Sequence, residues 1–577
     1  MIERPLSPET REENLAQMAD RDRPLDLLVI GGGITGVGIA RDAAHRGLSV
    51  GLVERRDFAS GTSSRSSKLI HGGVRYLQLG DFGLVRESAA ERSVLGRIAP
   101  HLAHPTLMVI PAHNRRAHLA LNAGLWTYEK LGSIDANELH TMWDREETLA
   151  RVPLLRPERL YGAATHYESI TDDARLVLDT LKDAHTAGAL VANYAEVTQL
   201  HVERSRVGGA RVRNIITGSD CDIEALVVVN AAGPWVDAVR SLEGPLPPKR
   251  LHLTKGVHLI LPRTCLPVDH IVVFTAGDRR SVFVVPRGEV IYTGTTDTDY
   301  GGPADRPEIT AEDADYLLTA INRAFVTPGV GPEMIVSAWA GLRPLLHEEG
   351  KAPSEISRKD EIMVGQKGLV SIAGGKLTTY RRMAERVVDL AVKSLDRSQG
   401  MHGQIAACQT DKLPLAGGDC SREELRALES RLGERYPEIP PATIARVVAK
   451  YGTQSETLLD PIADSPDFGE PVATGTVLLR AEIRYAIEHE MALTVEDVLD
   501  RRTQLLLFSL DQGLGAVDGV AEMLAERLGW NTAHTESETA TYRVLAESLL
   551  PGRIKQEPAK TGRAVKSKAA TRSRSTR

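Results

Sequence analysis

The spacing of apolar and polar positions divides the chain before any motif is considered. Residues 1–23 are charged and polar (Glu3, Arg4, Glu9, Arg11, Glu12, Glu13) and predict a short arm without periodic structure. From Leu25 to Glu54 the order is apolar run, glycine cluster, helical stretch and second apolar run, which is the order of a βαβ unit. Strand and helix patterns then alternate to about residue 395, where Thr378–Leu395 carries apolar positions at helical spacing. Four short apolar segments between Leu251 and Thr296 (Val257–Leu261, Ile271–Phe274, Val282–Val285, Val290–Gly294) alternate with turns and predict an antiparallel sheet. Cys408–Cys420, with Pro414, Gly417 and Gly418, reads as a linker. Beyond it, Arg422–Leu549 is rich in Ala, Leu, Glu and Arg. Amphipathic periods at Leu478–Ile487 and Val495–Leu507 predict a separate helical domain there. From Arg553 large apolar residues almost vanish, which predicts a disordered basic tail. No internal repeat is visible.

Length and composition change this picture only in part. A chain of 577 residues exceeds what one hydrophobic core supports, so two or three domains are expected. Hydrophobic residues at 42% and charged residues at 25% leave ample surface to bury. A formal net charge of -7 lacks the basic footprint of a nucleic-acid binder. Cys221, Cys265, Cys408 and Cys420 are scattered without the spacing of a zinc site, and read as free thiols in a reducing compartment. No apolar run reaches the ~20 residues needed to span a bilayer, so any membrane association is expected to be peripheral.

Chemistry first shows at Leu27–Gly36. Here Gly31, Gly33 and Gly36 form GxGxxG directly after an apolar strand and at the start of a helix. Gly31 permits the tight turn, Gly33 lets the backbone approach a pyrophosphate, and Gly36 allows helix to pack on strand, while the helix N-terminus favours negative charge. A second strand, Leu48–Val53, ends at Glu54, placed to accept ribose hydroxyls. NAD and FAD share this fingerprint. Two further strand-to-glycine turns favour FAD: Val227–Trp235, which includes Gly233, and Gly368–Thr379, which includes Gly374, Gly375 and Thr378. The first resembles the second FAD-contact strand of two-domain flavoprotein oxidoreductases, and the position of the second would aim helix N–H groups at the flavin pyrimidine oxygens.

Between Thr62 and Leu77 the chain reads Thr-Ser-Ser-Arg-Ser-Ser-Lys-Leu-Ile-His-Gly-Gly-Val-Arg-Tyr-Leu. The small hydroxyls of Thr62, Ser63, Ser64 and Ser67, with Lys68, suit contact with phosphate or flavin oxygens. His71 suits the base that removes a hydroxyl proton while hydride leaves the same carbon. Together with the glycine fingerprint and Ala373-Gly-Gly-Lys-Leu-Thr-Thr-Tyr-Arg381, these segments resemble the FAD-dependent, quinone-linked glycerol-3-phosphate dehydrogenase family from about Asp26 to Leu549. The resemblance implies non-covalent FAD and glycerol 3-phosphate as substrate. It places His71 and Arg343 (in Trp339-Ala-Gly-Leu-Arg-Pro-Leu345) at the substrate hydroxyl, Arg75 and Lys376 at the phosphate, and Tyr76 and Arg358 along the same pocket. The guanidinium fork fits both tasks, since it stays charged and binds phosphate in bidentate fashion.

The expected fold is α/β: a Rossmann-type FAD-binding domain in three parts (24–100, 176–250, 336–400), an antiparallel-sheet substrate or cap domain in two (101–175, 251–335), a linker at 401–420, an all-helical C-terminal domain at 421–550 and the tail at 551–577. The family delivers electrons to quinone at the inner face of the cell membrane. Arg115–Tyr128 mixes basic residues with Leu, Trp and Tyr, a pattern that suits an interfacial helix and equally a half-buried helix of the substrate domain. The tail sets nine basic residues against Glu557, a charge that suits anionic lipid, nonspecific nucleic-acid contact or plain solubility. Two alternatives stay open: an oxidase that reduces oxygen to peroxide, and a non-catalytic flavin-binding interaction protein. An amine oxidase on the same fold would leave Arg75 and Lys376 without a phosphate. The sequence is compatible with a homo-oligomer.

Overall fold

The computed structural model describes residues 4–20, 22–72, 81–132, 134, 136–245, 250–278, 280–346, 360–399 and 405–549. Arg75, Tyr76, Arg358 and the basic tail lie outside the described residues.

The predicted βαβ unit forms as expected. Strand Leu25–Ile30 lies in the middle of a sheet, parallel to Val50–Val53 on one side and to Asp220–Asn230 on the other. Leu190–Ala192 and Val370–Ala373 extend the parallel set outward, and Glu361–Val364 closes one edge antiparallel. Near-continuous burial of Leu27, Leu28, Val29, Leu52 and Val229 is what a sheet covered on both faces requires. Helices Ile34–His45, Asp173–Thr186 and Tyr380–Gln399 pack together against it. The strands' carboxyl ends converge on Gly31, Glu54, Ala231 and Gly374, where ligands bind in open α/β sheets.

The second sheet has ten strands and is antiparallel apart from one parallel join, Ile271–Thr275 beside His104–Ala112. Its membership corrects the domain boundaries. Leu69–Ile70 pairs with Ser169–Ile170, and Ser337–Leu346 pairs along its whole length with Leu251–Ile260, so both belong to the cap sheet and not to the flavin-binding part. The first brings the Ser-rich loop under the cap; the second places Arg343 opposite Thr254.

Two further expectations change. The polar arm contains a helix, Pro8–Ala19, capped by the Ser7 hydroxyl. Its hold on the sheet edge is partly polar: buried Arg11 donates to the Asn193 carbonyl at 2.8 Å and Asn14 to the Val191 carbonyl at 3.0 Å. The predicted helix Val495–Leu507 is instead a π-helical turn, Asp497–Arg502, then Gln504 in the left-handed region and a short helix Leu505–Phe508. The linker is bolted down, since Arg41 donates to the carbonyls of Thr410 and Leu413.

That π-helical turn joins the helical domain to the loop after Glu54. Arg502 grips Asp57 through both carboxylate oxygens, at 2.5 and 2.8 Å, and Arg501 adds a bond to Asp57 at 2.5 Å and one to Asp497 at 2.6 Å. Arg65 binds Asp500 in bidentate fashion at 2.9 and 2.6 Å. Burial alone would raise the Asp57 carboxyl, but the facing guanidiniums of Arg502 and Arg501 outweigh it and hold it below the usual range. A depressed carboxylate contributes stability above its ordinary value, near 4, and loses it as pH falls below. Arg502→Ala should therefore cost about 3–5 kcal/mol, because it strips a partner from a buried charge. Thermal unfolding of the variant should show a lower midpoint at pH 7, with the deficit narrowing as pH falls below about 4.

Candidate active site

The cofactor cradle is built by close approach. Gly31 has φ +113°, and a Cβ there would lie 2.7 Å from the Ala231 carbonyl oxygen on the neighbouring strand. A Cβ on Gly36 would overlap the Gly31 carbonyl oxygen. Both glycines are therefore fixed by space, and together they seat helix Ile34–His45 against the strand end. Gly33 is the N-cap of that helix and supplies no side-chain cap; the Ile34 N–H is met by the Ser63 hydroxyl at 2.9 Å. Ser63 thus brings the Ser-rich loop onto the helix N-terminus, where an anion is favoured. Glu54 accepts the N–H groups of Gly32 at 2.7 Å and Arg56 at 2.9 Å, which fixes its carboxylate at the cavity wall. Burial raises its pKa, with the two amides opposing.

These groups line a cavity of about 510 Å³. Gly31, Gly33, Glu54, Thr62 and Ser63 face it from the first βαβ unit and its loop, and Gly233, Gly374, Gly375 and Lys376 from the two later strand ends. The donors and the space fit a dinucleotide: side-chain-free backbone at a helix N-terminus for the diphosphate and a carboxylate at the next strand end for a ribose.

Four other residues expected at the cofactor are not among those that line this cavity. Ser64 is buried. Ser67 bonds His258 Nε2 at 2.9 Å. The Lys68 ammonium is turned into the interior, donating to Asp173 at 2.5 Å and to the Ser64 carbonyl at 2.9 Å. Thr378 uses its hydroxyl to accept the His71 N–H at 3.3 Å and donate to the His71 carbonyl at 3.2 Å. The last bond ties the candidate base to the turn that carries Lys376, whose Nζ reaches the Ser88 hydroxyl at 3.3 Å.

Arg343 sits on the cap sheet beside the cavity. It donates to Asp297 at 3.1 Å and to the Thr295 hydroxyl at 3.1 Å. The adjacent Pro344 lines the cofactor cavity, and the Leu342 carbonyl accepts the Thr62 hydroxyl at 2.7 Å. The structure adds a residue that the sequence reading missed. His258 stacks on Trp339 with ring centroids 4.5 Å apart, and its Nδ1 has no hydrogen-bond partner among the described residues. Burial, then the charges of Arg343 and Lys68, hold it far below the usual histidine range, so it is a neutral imidazole at physiological pH. Within Lys255-Gly-Val-His258 nothing but the fold distinguishes it from a core histidine.

A family described as FAD dependent oxidoreductase matches residues 26–381, and one described as the C-terminal domain of alpha-glycerophosphate oxidase matches residues 408–535. The aerobic glycerol-3-phosphate dehydrogenase of Staphylococcus aureus strain USA300 is 40% identical over 526 residues, which cover 90% of this chain and 94% of that protein. The chain belongs to the FAD-dependent glycerol-3-phosphate dehydrogenase family. The glycerol-3-phosphate dehydrogenase of Bacillus halodurans, solved in complex with FAD, superposes with a TM-score of 0.79 at 33% identity, covering 96% of this chain and all of that one. L-alpha-glycerophosphate oxidase of Mycoplasma pneumoniae shares the fold at a TM-score of 0.51 and 20% identity, over 64% of this chain and 95% of its own.

Membership makes this family member an FAD-dependent oxidoreductase, in accord with the fit of the cradle. Gly36→Ala should push the helix off the Gly31 carbonyl. The purified variant should carry less than about a tenth of the wild-type flavin absorbance per chain, since misplacing a donor set by ~1 Å costs around 10²-fold.

Proposed function

We propose that this protein oxidises sn-glycerol 3-phosphate to dihydroxyacetone phosphate and passes the electrons to a quinone at the inner surface of the cell membrane. The reaction removes a hydride from C2 and a proton from the hydroxyl on the same carbon. FAD, when bound, supplies the two-electron acceptor. His71 takes the proton, and Arg343 stabilises the charge that develops on the oxygen. Lys376 binds the phosphate, together with Arg75. Tyr76 and Arg358 line the same pocket. The observation that supports the reading is Lys376 in the wall of the cofactor cavity, a cation where an anionic polyol would lie against the flavin.

Support for the membrane half comes from helix Arg115–Gly132. It buries only Leu125, Tyr128 and Glu129, leaving Leu119 55% and Trp126 58% exposed beside Arg115 and Arg116. Phe82, on the helix packed against it, is 55% exposed. Exposed apolar residues next to basic ones suit a bilayer interface better than a half-buried packing helix. No helix among the described residues is long and apolar enough to cross a membrane.

Anaerobic addition of glycerol 3-phosphate should bleach the holoprotein, and a flavin that keeps its colour would end the reading. His71→Gln and Arg343→Gln should slow bleaching by about 10²-fold or more. During aerobic turnover with a quinone present, peroxide should stay far below the amount of substrate consumed; peroxide equal to substrate consumed would favour the oxidase reading that the second family's description raises. Replacing both Arg115 and Arg116 by Gln should weaken binding to anionic liposomes roughly thirtyfold, at about 1 kcal/mol per charge. Unchanged co-sedimentation would remove this helix from the membrane surface.

A further inference from the structure

The cap interior holds a carboxylate that the chemistry above does not use. Glu168, on strand Gly162–Ile170, is 2% exposed, and its Oε2 accepts the Gly72 N–H at 3.3 Å. Gly72 directly follows the candidate base. The Arg92 Nε of helix Phe82–Ile98 lies 3.6 Å from the same oxygen, and the His166 Nδ1 lies 3.9 Å from the other. Tyr128, from the exposed cap helix, fills with its hydroxyl the space that a Cβ on Gly72 would need. Among the described residues, Glu138, paired with Arg92, and Lys376 are the other charges that face the group.

We propose that Glu168 is a positioning residue for His71: its ionised carboxylate, with the Arg92 Nε 3.6 Å away, fixes the Gly72 amide and with it the backbone segment that presents the imidazole to substrate. This rests on the reading of His71 as the base for glycerol 3-phosphate. The segment then has two anchors, the Thr378 hydroxyl on one side and Glu168 on the other. Only the second titrates. Burial pushes the Glu168 carboxyl up to about 7, against the pull of Arg92 and the Gly72 amide. His166 is no proton store for it, because burial and then Arg92 hold that imidazole down to about 4. An acid with a raised folded pKa contributes stability below its ordinary value and loses it as pH rises through about 7, so the ionised form is kept at a cost to the fold. Packing alone does not require that charge. A glutamine fills the same volume and still offers an oxygen to Gly72, but a neutral one, and hydrogen bonds to a charged acceptor are roughly twice as strong.

The test compares wild-type holoenzyme with Glu168→Gln at pH 8, by anaerobic stopped-flow bleaching with glycerol 3-phosphate and by thermal unfolding. The variant should unfold at or above the wild-type temperature and half-saturate at a similar substrate concentration, yet bleach roughly tenfold or more slowly at saturation. Its limiting rate should also lack the ionisation near 7 expected of the wild type. Glu168→Asp, which keeps the charge but falls a methylene short of Gly72, should bleach slowly too, and it stands in should the glutamine variant not accumulate as holoenzyme. Bleaching within twofold of wild type in either variant overturns the proposal alone. Wild-type protein that does not bleach overturns the functional reading and this proposal with it.

Discussion

A diphosphate can lie against the end of a parallel sheet only where no side chain intervenes between the sheet and a helix N-terminus, and this constraint organises the molecule. Gly31 and Gly36 are pressed against backbone carbonyls, so the first turn of helix Ile34–His45 opens directly onto the cavity. Its unmet amides point toward the position of negative charge. Ser63 meets one of them, and that bond draws the Ser-rich loop, and through it Leu69–Ile70 and His71, to the same place. The cofactor seat and the segment that carries His71 are thus parts of one arrangement.

The helical domain contributes to that arrangement from behind. The loop from Asp57 to Lys68 carries Thr62 and Ser63, and it is clamped at Asp57 by Arg501 and Arg502, at Arg65 by Asp500 and at Lys68 by Asp173. Buried ion pairs add little net stability over apolar packing, but they hold geometry, because each partner left alone is severely penalised. The wide π-helical turn Asp497–Arg502 sets both arginines facing the same aspartate. The match of residues 408–535 to the C-terminal domain of alpha-glycerophosphate oxidase agrees with a domain that comes as part of this machinery.

What could be read in the sequence follows the reach of each interaction. Gly31, Gly33, Gly36 and Glu54 lie within one local βαβ unit, so spacing alone locates them. Thr62 and Ser63 and the glycine pair Gly374–Gly375, which line the cavity, were legible for the same reason. Residues whose role depends on distant partners were not. Ser337–Leu346 joins the cap sheet through Leu251–Pro262, some eighty residues away, and no local pattern says so. Arg11 and Asn14 make the N-terminal segment a packed helix through carbonyls of Val191 and Asn193. His258 and Glu168 sit in strands where alternation speaks only of burial. Lys68 matches a cofactor contact in type and position, yet the buried carboxylate of Asp173 claims it.

The account's central claim is that hydride passes from C2 of a phosphorylated polyol to a flavin held in this cradle. Single-turnover anaerobic reduction of the holoprotein with glycerol 3-phosphate carrying deuterium at C2 tests it most directly. The account predicts that colour is lost severalfold more slowly than with the protonated substrate. Equal rates with both, or a flavin that neither substrate reduces, would contradict it.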